Sequence, residues 1–304
     1  MNPTSRILRV TLIAVFLAGS AFGSGVPGTT KVVVPIGTHL SDQDFASVGA
    51  ARLQDYEAFR VYRVPSAALA KLQAAAAAEG EAIEVHDEWD TVLFRNRSID
   101  TRGAGKVVLD PAGADTLQMY VVQFTSPLTT SDEQLLSNAG AFCVGYIPSN
   151  AVLVAAHSRA LAAAVAGAPR VQWLSVYERS LKPSLPAIPL AADEFVVQFA
   201  TTPETGAHIQ AFLAHHEVIQ ISSYLQYTNV RVRLSLSEAA AAIDDPFVVV
   251  VEPAGHDFVS GEREAISTTN PFITSRFIRH LPAHSGSRSG PEPQTIVIGC
   301  RLDS

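Results

Sequence analysis

The sequence predicts an α+β protein built from repeated β-α-β-β-α-β modules, each an antiparallel sheet with two helices on one face. Three observations carry this. A short alternating strand occurs twice, as Met119-Tyr120-Val121-Val122-Gln123-Phe124 and as Glu194-Phe195-Val196-Val197-Gln198-Phe199. The spacing from Tyr120 to Phe195 exceeds the roughly 20–50 residues of solenoid repeats and suits a small domain. After each copy the helix, hairpin, helix and strand signals follow in one order.

In the copy placed at 115–181, the opening strand is followed by Thr130-Ser131-Asp132-Glu133, which reads as a capping box and a helix start. Leu135, Leu136 and Ala139 form that helix's apolar stripe, and Gly140 ends it. Residues 141–147 and 151–156 read as a hairpin around Pro148-Ser149-Asn150. Ser158 is expected to cap a second helix carrying Leu161 and Val165, and 171–177 is the last strand.

The copy placed at 193–256 repeats this order. Pro203 suits a helix start, with Ile209, Phe212 and Leu213 as the buried stripe. Residues 218–225 and 230–234 form the hairpin, Ser237 opens an alanine-rich helix, and 247–251 is the final strand. A degenerate first copy is expected at 31–101. Its strands are 31–36, 59–64 and either 82–85 or 92–94, and Pro65-Ser66 leads a helix with Leu69 and Leu72. Linkers are expected at 102–114 and at 182–192. The latter holds Pro183, Pro186 and Pro189 and should be extended and exposed.

Right-handed crossovers put both helices of such a module on one side of its sheet. The other side is left open, either to a partner or to the adjacent copy. In the last copy Val230, Val232 and Leu234 alternate with Arg231, Arg233 and Ser235, and Ile219 and Ile221 alternate with Gln220 and Ser222. The middle copy is less polar there, with Gln123 and Gln172 among apolar neighbours.

The first 23 residues read as a signal peptide. Arg6 and Arg9 precede an apolar run at 10–17, then small residues to Gly23. The run is shorter than the roughly 20 residues a membrane span needs. A secreted or periplasmic protein, off the membrane after cleavage, is therefore expected. The net charge of −7 offers no basic footprint for nucleic acid. Two cysteines, Cys143 and Cys300, are too few for a disulfide scaffold. They are free to pair, and Cys143 also suits a small core position. The tail at 262–304 is Ser-, Gly-, Pro- and His-rich at 280–293, reads as disordered or truncated, and carries a short strand-like run at 294–298.

The ordered set from Phe195-Val196-Val197-Gln198-Phe199 to Pro246-Phe247-Val248-Val249-Val250-Val251-Glu252 resembles the propeptide of subtilisin-like serine proteases, the subtilisin propeptide-like peptidase inhibitors. Tyr120 to Phe124 with Pro169 to Tyr177 is a second match, and Tyr146-Ile147-Pro148-Ser149-Asn150-Ala151-Val152-Leu153-Val154 is similar to tandem propeptide modules that precede large bacterial subtilases. The resemblance implies a ferredoxin-like fold that binds, chaperones or inhibits a subtilisin-type protease. It also implies that the sheet packs on protease helices, with an acid after the last strand capping their N-termini. Glu252 falls on that position, Glu178 is its counterpart in the middle copy, and Arg231 and Arg233 would line the contact. Ala254 stands where the family often has a second acid.

No chemistry of the chain's own is expected. The Asp, His and Ser contexts of a subtilase are missing. The run 294–304 resembles the first core strand of a subtilase, leaving Asp303 without partners, so a truncated precursor is the alternative reading, with a structural exported protein a third. His215-His216-Glu217 lacks zinc-helix spacing, His256-Asp257 with Ser260 reads as a polar loop, and no cofactor or metal is expected. Asn96-Arg97-Ser98 is a formal glycosylation sequon.

Overall fold

A computed structural model describes residues 28–95, 97–102, 109, 114–185 and 193–254. The signal-peptide reading, Asn96 of the sequon, His256-Asp257 with Ser260, Cys300, Asp303 and the tail lie outside the described residues. Three four-stranded sheets share one plan, the ferredoxin-like one.

The first runs β1 (Thr29–Pro35), α1 (Asp42–Ser47), β2 (Ala51–Asp55), β3 (Phe59–Pro65), α2 (Ser66–Ala78) and β4 (Glu84–Val85), with sheet order β2-β3-β1-β4. A 3-10 turn (Asp87–Asp90) then leads to a separate hairpin, β5 (Thr91–Phe94) with β6 (Arg97–Asp100). The middle module runs β7 (Leu117–Phe124), α3 (Thr130–Asn138), β8 (Phe142–Ile147), β9 (Ala151–His157), α4 (Ser158–Ala166) and β10 (Val171–Val176), in order β10-β7-β9-β8. The third runs β11 (Glu194–Ala200), α5 (Gly206–His215), β12 (Glu217–Tyr224), β13 (Tyr227–Arg233), α6 (Leu236–Ala242) and β14 (Val248–Pro253), in order β12-β13-β11-β14. In each, the first and third strands sit centrally, paired antiparallel.

Several boundaries differ from the sequence expectation, each for a local reason. The capping box of α3 uses Thr129 and Asp132 rather than Thr130 and Glu133, because Thr129 has the extended backbone that lets its hydroxyl reach the third helical amide. Helix α6 is capped by Ser235 with Glu238, two residues before Ser237. Ser158 is the first residue of α4, not its cap; its Oγ accepts from the Thr116 N–H at 3.1 Å and donates to the Ala114 carbonyl at 3.2 Å, tying the incoming chain down. Pro203 lies before α5 in a turn in which the Thr202 N–H donates to Thr205 Oγ1 at 2.8 Å and Thr205 Oγ1 donates to the Ala200 carbonyl at 3.0 Å. Gly140 takes φ +67° just after α3, a conformation glycine adopts without strain.

In the first module, α1 and β2 had no sequence reading. Phe45 is their apolar anchor, stacked on Tyr62 at 4.0 Å. The last strand is the two-residue β4; Val92 and Phe94 belong to the separate hairpin. The second linker also departs from expectation at its start, since Lys182 and Pro183 are buried.

The middle sheet decides how the molecule is assembled. Tyr120, Val122, Phe124, Val152, Val154 and Leu174 pack under α3 and α4 with Leu136 and Leu161. The opposite face is equally apolar, with Met119, Val121, Leu153, Ala155 and Trp173. It is not open. Val92 and Phe94 of the hairpin cover part of it, and Ala200, Tyr227 and Val249 of the third module cover the rest. Tyr177 Oη donates to the Val249 carbonyl at 3.2 Å across this junction. Gly145 lies so near Tyr227 that a Cβ there would stand 2.6 Å from its Oη.

Trp173 is almost fully buried in this shared core, and truncating a buried aromatic costs about 3–5 kcal/mol. Trp173→Ala should therefore destabilise the middle and third modules together. Urea unfolding followed by residue-resolved NMR would show one coincident shift; a shift confined to the middle module would mean the junction is not cooperative.

Candidate functional site

Beside the apolar junction lies a buried polar cluster where the first module meets the middle one. Lys31 of β1 points off the helix-free face of the first sheet. Its Nζ donates to Gln172 Oε1 at 2.6 Å and to the Trp89 carbonyl at 3.0 Å, and it pairs with Asp90 Oδ1 at 2.9 Å. Gln172 Nε2 in turn faces Thr101 Oγ1 at 2.8 Å and Asp90 Oδ1 at 3.0 Å. Gln123 Nε2 donates to the carbonyls of Trp89 and Ser149, both at 3.0 Å. All five side chains are buried. Gln123 and Gln172, which the sequence suggested as polar residues of a free face, are instead interior. Burial pushes the Lys31 ammonium down to about 8, against the opposing pull of the Asp90 carboxylate.

A second buried lysine, Lys182, fastens the chain leaving the middle module to the end of α6. Its Nζ donates to the Ile243 carbonyl at 2.9 Å and the Asp245 carbonyl at 2.5 Å, satisfying carbonyls that a helix C-terminus leaves unpaired. Burial lowers it to about 8 as well, opposed by Asp245 and Asp244. A cleft of about 710 Å³ lies alongside, bordered by Gln118, Tyr177, Glu178, Lys182 and Asp244. Among the described residues no group of three or more His, Cys, Asp or Glu could hold a metal, and no helix is long and apolar enough to cross a membrane.

The four residues singled out from the sequence fall in different surroundings. Arg231 donates through Nε and Nη2 to Glu194 Oε2 at 2.9 and 2.5 Å. Arg233 donates to Glu217 Oε1 at 2.6 Å. These two share the helix-free face of the third sheet with Gln198 and Asn229, themselves joined at 2.9 Å. Glu252 lies on the same face in β14, but Arg95 from the tip of the hairpin pairs with it, so it is not a free carboxylate. Glu178 is apart, at the cleft, accepting from Ser180 Oγ at 2.8 Å. The expected alternation holds for β13 but not for the neighbouring strand. A bulge between Val218 and Gln220 breaks the register, and Ile219 and Ile221 are both exposed.

A family described as a domain of unknown function, DUF8729, matches residues 93–178. That stretch runs from inside β5 to just past β10, so it takes in the middle module and most of the hairpin that covers it. No curated protein matches the chain. Among solved structures, a crystal structure of the N-terminal three RNA-binding domains of the yeast splicing factor Prp24 is similar at 10% identity, covering 74% of this chain and 98% of that one, with a TM-score of 0.16. At that score the likeness carries no argument.

Two outcomes follow from the buried groups. Lys31→Met leaves Asp90 buried and unpaired and should destabilise the protein by about 3–5 kcal/mol, whereas Lys31→Met with Asp90→Leu should recover most of that loss. Denaturation of the three proteins in urea checks this; a double variant as unstable as the single would contradict it. For pH, the unfolded chain keeps Lys31 and Lys182 protonated up to about 10.5 while the folded chain releases both protons near 8. The unfolded state binds more protons in that window, so stability rises with pH. Burial holds the Tyr177 and Tyr227 phenols above their ordinary 10, Tyr227 at about 12, so the unfolded chain loses those protons first and stability falls above pH 10. Urea midpoints from pH 7.5 to 11 should peak near pH 10.

Proposed function

We propose that this chain is an exported, propeptide-like binding protein that engages a subtilisin-type serine protease as inhibitor or folding chaperone, through its third module. The observation that carries the reading is the difference between the second and third sheets. The middle sheet's helix-free face is occupied by the chain itself. Among the described residues, the third sheet's is packed against the middle module at Ala200, Tyr227 and Val249 and reached by Arg95 at Glu252, while Arg231, Arg233 and half-buried Val196 and Val250 lie along the rest. The strand order and the run ending in Val251-Glu252 support the same reading through the resemblance to subtilase propeptides.

On this reading the partner meets a charged strip already balanced by Glu194 and Glu217, so charge steers approach more than it adds affinity. Glu252 reaches a partner's helix N-terminus only by giving up Arg95. A carboxylate there is worth about 0.3–1 kcal/mol. The chain contributes contact and not catalysis, and no group of its own is assigned to bond cleavage.

The purified full-length protein should inhibit at least one member of a panel of bacterial subtilisin-type proteases at micromolar concentration or below. Arg231→Glu with Arg233→Glu should slow association, and Glu252→Ala should weaken binding by roughly two- to five-fold. The protein alone should hydrolyse no peptide. Absence of binding across the panel would sink the proposal, as would turnover that survives repurification and vanishes on one substitution in this chain.

A further inference from the structure

Strand β12 forms one edge of the third sheet, paired with β13 and with no other described strand. An edge strand offers a row of backbone N–H and C=O groups, and proteins commonly blunt it with lysine, proline or a covering segment. β12 has neither lysine nor proline, and its one charged residue, Glu217, is paired with Arg233. Its apolar side chains face water: Ile219 is 41% exposed, Ile221 50% and Tyr224 52%, with Leu225 in the following turn at 61%. Two other sheet edges, β2 and β14, are treated differently. β2 carries Arg52, which pairs both with Asp55 of the same strand and with Asp42. β14 has Val248, Val249 and Val251 buried.

We infer that β12 is the docking edge for a strand from the chain's own C-terminal region, with Thr295-Ile296-Val297-Ile298 adding a fifth strand to the third sheet. That run consists of β-branched residues, which favour strand conformation. The chain leaves β14 at the opposite edge, about 14 Å away across three strand spacings. Positions 255–294 separate the two points, and a slack chain of that length spans about 35 Å r.m.s.. The docking is therefore within reach. A tethered strand acts at an effective concentration of about millimolar. A second copy at micromolar concentration competes poorly for the same edge. The bulge in β12 remains compatible, because it interrupts the pairing only at Ile219.

The test is residue-resolved hydrogen exchange on the full-length protein, wild type and Ile296→Lys with Ile298→Lys, each at two concentrations. The outward-pointing amides of β12 should be protected at least about ten-fold in the wild type. That protection should be lost in the variant and should not change on dilution. Protection of β11 amides in both proteins reports that the fold is intact. Ile221→Asp should in turn release the amides of 295–298. Three results would each overturn the inference: wild-type β12 amides exchanging freely, protection that persists in the lysine variant, or protection that fades with dilution as in pairing with a second copy.

Discussion

The structure depends on a sheet that is apolar on both faces. A lone β-α-β-β-α-β module covers one face with its helices and leaves the other to water, which suits an alternating pattern. β7 and β9 do not alternate: nearly every side chain along them is buried. Such a sheet is stable only between two layers. The hairpin and the third module supply the second layer, so three modules that could have been separate become one packed body. The roughly 25 cal/mol released per Å² of apolar surface buried drives this docking. The hydrogen bond from Tyr177 to Val249 and the close approach of Tyr227 to Gly145 set its geometry.

The polar cluster around Lys31 follows from the same constraint. Where the first sheet meets the edge of the middle one, the contact is not wholly apolar, and every buried donor or acceptor there needs a partner. Gln172 serves as the hub, accepting from Lys31 while its amide faces Asp90 and Thr101. A buried ion pair of this sort contributes little net stability against an apolar replacement. It does penalise any other seating of the first module, because a shifted arrangement would strand the ammonium and the carboxylate.

This assembly bears on where a partner can bind. Sheet faces used internally are lost as binding surfaces, and among the described residues the third module's helix-free face is less covered than the middle module's. Glu252 shows the consequence at single-residue scale. It sits at the strand position the subtilase-propeptide resemblance implies, yet the hairpin that covers the middle sheet also brings Arg95 to it. The same hairpin that completes the core thus competes for a residue a partner would use.

The middle and third modules were legible from sequence, because strand alternation, helix stripes and capping signals are local, whereas α1 and β2 of the first module were not. Met119 to Phe124 and Glu194 to Phe199 announced equivalent strands, and Arg231 and Arg233 were placed on the polar side of β13. Local ambiguity explains the small errors: Thr129 and Thr130 both fit a capping pattern, as Ser235 and Ser237 both could, and only backbone geometry chooses. Other features were decided by tertiary structure alone. Gln123 and Gln172 read as solvent-facing because polarity signals exposure only when no other segment lies on top. Nothing within a few residues of Lys31 shows that Asp90 and Gln172 will enclose it. The sequence by itself determined the element order of the middle and third modules. Which faces remained open was settled by packing between segments far apart in the chain, since burial belongs to the assembled layers and not to any one strand.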